Sequence, residues 1–278
     1  MSSALRYELH GVEYPGRARS VWRFGEPGCP LRLAKTPAGI GGAPLSHIRQ
    51  SNARQDGATW RGLSREINPI GLSVRIGPVE PGAVAMDLWQ TWRDSLGDGR
   101  AVAEFHVISP GGADRFQWVR REQAIPDPDF ALLDTIGWCT EDAVLTSDES
   151  WWRGEVAHLG PLDNTQWSGR TLRNDGDTAG WVLWALTGPG TYTIGVDGEA
   201  VTLPALTAGQ MLSVETNPEY PHIRNGAGVD VWETAGMVGW YKPIPARTTV
   251  PLTMSATGTS SASRIELWMP QLHERAAA

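Results

Sequence analysis

The sequence predicts a mainly β protein in two domains: a β-sandwich-like N-terminal domain with one helix and a hairpin, then a helix-free C-terminal β-sandwich. Three observations carry this. Short runs alternate apolar and polar residues at period two, as half-buried strands require. The 32 Gly and 20 Pro are spread between those runs as punctuation, with no low-complexity block. The 278 residues, 41% of them hydrophobic, exceed the ~100 to 150 of an ordinary single domain. The expected division is 1–157, a linker at 158–167 and 168–278.

In chain order, "RYELHGVEY" and "SVWRFGEPG" read as two strands, each ended by Gly or Pro. A Gly-rich turn at Gly39–Gly42 follows, and then a polar excursion from Arg49 to Asp56 flanked by a strand pair. "IGLSVRIG" places Leu72, Val74 and Ile76 on one side of a strand. One helix is expected in "PGAVAMDLWQTWRDSLGDG". Its Ala85, Leu88, Trp89, Trp92 and Leu96 recur at spacings of three and four, Pro81 precedes it and Gly97 ends it. "AVAEFHVIS" and "RFQWVRREQA" around "PGGAD" form a hairpin, and "DFALLDTIGWCTEDAVLTSDESWWRGE" adds at least one more strand. Beyond the linker, short strands follow at intervals of ~8 to 12 residues, as in a sandwich. Asp197-Gly198 stands between two of them as a tight turn.

Composition bounds the partners. With 24 basic and 31 acidic residues the formal charge is −7, the wrong sign for a surface that neutralises phosphates, so stable nucleic-acid binding is not expected. Two cysteines, Cys29 and Cys139, give neither a disulfide framework nor a four-thiolate zinc set, and an intracellular folding compartment is the expectation. No run approaches the ~20 apolar residues of a spanning helix and no secretory leader is recognisable, so membrane insertion is not expected.

The search for chemistry yields no catalytic residue, no cofactor and no preformed metal site. Gly-x-Ser-x-Gly, phosphate-loop and His-Glu-x-x-His patterns are absent. "GIGG" lacks the third glycine and the helix of a dinucleotide loop. The six histidines are scattered, so zinc ligands would have to come from distant positions. Asp127 with Asp129, and Asp148 with Glu149, read as solvated loop acids, because a glycosidase pair needs a fixed separation in space. Asn174, Asp175 and Asp177 around Gly176 offer hard oxygen ligands but lack the rest of a calcium loop; they read as a turn.

Fourteen Trp is the unusual count, and Trp favours cores, interfaces and sugar sites. Trp181 and Trp184 lie three apart, so in a strand they face opposite ways: one buried, the other available to a neighbour or a sugar. Trp181, Trp184, Trp232 and Trp240 are the candidate contacts of the C-terminal domain. Arg49, Gln55, Trp60 and Arg61, an Arg- and Trp-bearing loop between strands, are the candidate subunit contacts of the N-terminal one.

The order of segments resembles the distal tail proteins of long, non-contractile-tailed (siphovirus-type) bacteriophages, in the form often labelled minor tail protein in phages of actinobacteria. The resemblance rests on "VWRFGEPGCPLRLAKTPAGIGG", "RQDGATWRG", "NPIGLSVRIG", "LTSDESWWRGE", "LRNDGDTAGWVLWALTGPG" and "GQMLSVET" in that order, and covers most of the chain. It implies a structural virion protein with no enzymatic activity, located at the tail tip after assembly in the host cytoplasm. The N-terminal domain would form a ring, commonly six-fold, with a channel for DNA ejection. The C-terminal domain would be a galectin-like or carbohydrate-module-like sandwich. The implied partners are further copies of the chain, the tail tube protein, a tail-tip hub or tail-associated lysin protein, and the tape measure protein. An acidic channel wall would repel phosphates during ejection. Two other readings stay open: a carbohydrate- or receptor-binding tail module that recognises the host envelope, and a glycosidase with an accessory sandwich.

Overall fold

The computed structural model describes residues 4–278, which divide into two units. The first holds the described residues up to Arg153 together with Glu274–Ala278; the second is Gly154–His273. The 158–167 segment is no free linker. Strand β10 (Trp152–Leu162) runs through its first half, and Trp167, in its second half, is buried. Gly160 and Pro161 lie inside that strand, which Pro- and Gly-based punctuation cannot show. The last five residues also leave the C-terminal unit and return to the first, where the Ala276 N–H donates to the Ile40 carbonyl at 2.9 Å.

The first unit contains β1 (Arg6–His10), β2 (Val21–Arg23), β3 (Leu31–Leu33), β4 (Leu45–Gln50), β5 (Thr59–Arg65), β6 (Asn68–Ile76), α1 (Ala83–Ser95), β7 (Ala103–Ile108), β8 (Asp114–Arg121), α2 (Phe130–Ile136), β9 (Cys139–Ser147) and the start of β10. Antiparallel pairings run β2-β1-β7-β8-β9-β6-β3. The period-two reading of β6 holds: Ile70, Leu72, Val74 and Ile76 are all buried, and nine residue pairs register β6 against β9. Gly39, in the predicted turn, has φ of 82°, and a Cβ there would lie 2.1 Å from the Pro69 carbonyl oxygen. Only glycine fits.

Helix α1 forms where predicted. Ala85, Trp92 and Leu96 are buried, Leu88 and Trp89 half-buried, and Gly97 stops the helix at φ 67°. The Trp92 indole N–H donates to buried Glu141 on β9 at 2.7 Å, and Arg93 pairs with the other oxygen of that carboxylate. The sequence reading missed α2. Its start signal was present: Asp129, taken for a loop acid, accepts from the Ala131 N–H at 3.0 Å as an N-cap, and Gly137 closes the helix in the left-handed region. A helix of seven residues has too few turns to display a periodic stripe.

The second unit continues from β10 through β11 (Thr171–Arg173), β12 (Leu183–Thr187), β13 (Thr191–Val196), β14 (Val201–Thr202), β15 (Met211–Glu215), β16 (His222–Asn225), β17 (Thr249–Thr257) and β18 (Arg264–His273). One sheet is ordered β16-β15-β12-β18-β10 and the other β11-β17-β13-β14. Both feed one core: Trp184, Leu186, Ile265, Leu267 and Met269 from the first, Tyr192, Ile194, Leu252 and Met254 from the second. Strand β18 alternates half-buried and buried at all ten positions. The Asp197-Gly198 turn joins β13 to β14 with φ of 50° and 78°, positive at both residues as the two-residue hairpin turn demands.

Candidate assembly interface

Among the described residues, strands β4 and β5 pair only with each other, as a two-stranded sheet outside the main pairing. All six residues of β4 are exposed, and in β5 only Gly62 and Arg65 are partly covered. Ile48 is 55% and Trp60 60% exposed, with Leu45 and Leu63 also in solvent. The base is anchored. The Arg65 guanidinium lies 4.2 Å from the centre of the Trp151 ring and donates to Glu274 at 3.1 Å, and the Ser150 hydroxyl donates to the Glu66 carbonyl at 2.8 Å.

All four N-terminal candidates fall on this hairpin. Arg49 is the cross-strand partner of Trp60, just past a bulge at Ile48/Arg49. Arg61 donates to Gln50 at 2.9 Å, Gln55 in the turn donates to Thr59 at 2.9 Å, and the Trp60 indole donates to His47 Nδ1 at 3.1 Å. The bonds are local and leave the large apolar faces in water. Leu45, Ile48, Trp60 and Leu63 are thus large apolar side chains exposed on one hairpin.

The C-terminal candidates divide. Trp184 is wholly buried in β12, and Trp240 is buried with its indole N–H 3.5 Å from the Ile194 carbonyl; neither can serve as a contact. Trp184 takes the inward phase of a strand that alternates, while Trp240 lies in an irregular segment that closes over the β13 side of the core. Trp181 and Trp232 are half-buried, the latter donating to the Val238 carbonyl at 2.7 Å. The most exposed large hydrophobic residues of this unit, among those described, are Tyr241 and Met237, in the same irregular segment. An apolar groove of about 510 Å³, lined by Leu206, Met211, Leu212, Val231 and Ala235 among others, contains no aromatic ring on which a sugar could stack.

The acidic residues singled out in the sequence are engaged in structural roles. Asp148 pairs with Arg120 and Glu149 with Arg153, each at 2.6 Å. In the 174–177 loop, buried Asn174 accepts from the Gly176 N–H at 2.8 Å and donates to the Thr178 and Ile244 carbonyls at 2.8 and 2.9 Å. Asp175 pairs with Arg173 and Asp177 with Arg247. The loop is a turn pinned by an asparagine.

The histidines are less scattered in space than in sequence. Pairing of β1 with β7 sets His10 opposite Glu104 and Glu8 opposite His106. The readable signal was a repeated Glu-x-His, at Glu8–His10 and Glu104–His106, in two alternating runs. Burial pulls the His106 pKa down, but hydrogen bonds and charge from Asp114 and Glu104 outweigh it and leave the pKa raised.

No protein-family model matches the chain, and no curated protein does. Solved structures do. The Dit protein of phage SPP1, described as a paradigm of the hub of adsorption apparatus in phages that infect Gram-positive bacteria, matches with a TM-score of 0.60 at 9% identity, over 87% of this chain and 93% of its own. A chain of the phage p2 baseplate in its activated conformation with Sr matches at 0.59 and 9% identity, over 95% of this chain and 98% of its own. A chain of the same baseplate with Ca gives 0.54 at 9%, over 96% and 98%. Over nearly its whole length, therefore, the chain has the fold of phage hub and baseplate proteins.

Proposed function

We propose that the chain is a structural protein of a phage tail tip, whose N-terminal unit assembles through the β4–β5 hairpin into a homo-oligomeric ring, commonly six-fold in the family the sequence resembles. The observation that carries the reading is the hairpin itself. An isolated two-stranded sheet is marginal in water, yet this one holds Ile48, Trp60 and Leu63 in solvent. Docking on a neighbouring copy covers those side chains and adds partners to the hairpin. The fold shared with hub and baseplate proteins supports the same role. In this reading the ring joins the tail tube protein to the tail-tip hub and leaves a channel for DNA. The C-terminal sandwich, with two of its four candidate Trp in the core, offers little support for a sugar-binding role.

The test is native mass spectrometry with negative-stain imaging of the full chain. Wild type should give a closed ring, and Ile48→Asp, which puts a charge in the middle of the contact, should give monomers that remain folded by circular dichroism. A wild-type protein that is monomeric at high concentration, alone and with the tail tube protein, overturns the reading.

A further inference from the structure

We propose that Glu104 and the two histidines beside it, His10 and His106, form a binding site for one borderline divalent cation of the zinc class. The argument starts from distances. His106 Nε2 and His10 Nδ1 lie 3.4 and 3.6 Å from the same oxygen, Glu104 Oε2. Ligands at ~2.0 to 2.1 Å from a tetrahedral zinc stand about 3.3 to 3.4 Å apart, so both contacts with Glu104 are close to ligand spacing, and the three ligand atoms all lie within 4.8 Å of one another. Two imidazoles and one carboxylate, with a fourth position left to water, is a recognised donor set for zinc.

The outer nitrogens strengthen the assignment. His106 Nδ1 is 3.0 Å from Asp114, and His10 Nε2 is 3.2 Å from Glu8. Each ring therefore turns one nitrogen toward Glu104 and the other toward a carboxylate. With a cation bound, that outer carboxylate would hold the N–H on the outer nitrogen and leave the inner nitrogen's lone pair for the metal, as is usual for metal-bound histidine. The site is reachable, since the His10 and Glu104 side chains are each about a quarter exposed. Two features oppose binding. Arg19 stands 3.2 Å from Glu104 Oε2 and competes for it. The two imidazoles stack at 4.2 Å with 29° between planes, and near-parallel rings cannot aim both lone pairs at one point. Loading must therefore turn the more exposed His10 ring, while His106, stacked on Phe116 at 5.0 Å on its other face, stays in place. A bound cation would brace the edge of β1 against β7.

The experiment uses tag-free full-length protein stripped with chelator and titrated with Co²⁺, then Zn²⁺. The expected result is one equivalent of Co²⁺ giving the intense visible bands of four-coordinate cobalt, bleached by Zn²⁺, with a rise in melting temperature. Glu104→Gln and His106→Ala should abolish the bands. Asp114→Asn, which keeps all three ligands, should weaken Zn²⁺ binding by about 10- to 100-fold. Arg19→Gln should strengthen it by freeing Glu104. Absence of four-coordinate bands in wild type and in Arg19→Gln, or unchanged Zn²⁺ affinity in Glu104→Gln, overturns the proposal and leaves the cluster as an ion network neutralised by Arg19.

Discussion

Trp60 and Trp184 are the same side chain in opposite settings. Trp60 lies on a two-strand hairpin that no further strand joins among the described residues, and most of its surface is in water. Trp184 lies on β12, between β15 and β18 in one sheet, with the strands of a second sheet contributing to the same core, and none of it is in water. Both stand in short strands flanked by turn residues. The difference is the number of layers available: a strand in a two-layer unit has an inside to point to, and a strand in a lone hairpin has none. A Trp count reports how much apolar surface must be covered, and topology decides whether the cover comes from the same chain.

The largest expected effect tests the buried side of this contrast. Trp184→Ala removes a fully enclosed indole and leaves a cavity that neighbouring strands can fill only in part, so the C-terminal unit should lose about 3 to 5 kcal/mol. Chemical denaturation followed by far-UV circular dichroism reads this as a lower midpoint for one of the unfolding transitions. A loss below about 1 kcal/mol, the range of an exposed position, would show that the alternation of β12 had been assigned to the wrong faces.

What could be read in advance follows the same division. Elements whose pattern is local were legible: β6 with its buried Ile70, Leu72, Val74 and Ile76, α1 with its Trp92 stripe, and the Asp197-Gly198 turn. Features that depend on long-range pairing were not. The Glu8–His10 and Glu104–His106 runs are almost a hundred residues apart and meet only because β1 pairs with β7. The return of Glu274–Ala278 to the first unit leaves no trace in composition. Helix α2 was too short for periodicity, though Asp129 and Gly137 marked its ends. The hairpin candidates were named from residue type, and the structure adds why they stand together: Arg49 is paired with Trp60 by register.

An intermediate effect is expected where the C-terminal unit is held by polar groups. Asn174→Ala removes the side-chain bonds to the Gly176 N–H and to the Thr178 and Ile244 carbonyls; Gly176 keeps Gln271 and Ile244 keeps the Gly180 N–H, so the Thr178 carbonyl is the group that loses its side-chain donor. The cost should be about 1 to 3 kcal/mol. Millimolar Ca²⁺ should leave the wild-type melting temperature unchanged, because Asp175 and Asp177 are each held by an arginine. A calcium-dependent rise in melting temperature that disappears in Asp177→Asn would restore the metal-loop reading.

Trp60→Ala should have the smallest effect on stability and the clearest effect on assembly. The indole makes one hydrogen bond, to exposed His47, so its loss should change the unfolding free energy by no more than about 0.5 kcal/mol. Cys139 supplies an internal control. Burial, with the Glu141 charge adding to it, pushes its thiol up to about 11, and it sits in the core of the same unit. In folded protein it should resist a thiol reagent at pH 8, while half-buried Cys29 reacts at a measurable rate. If Trp60→Ala gives monomers by native mass spectrometry and Cys139 remains protected, the hairpin is a surface kept for a neighbour. If Cys139 becomes reactive, Trp60 stabilises its own unit and the contrast with Trp184 fails. If the ring persists with Cys139 protected, the contact lies elsewhere on the first unit.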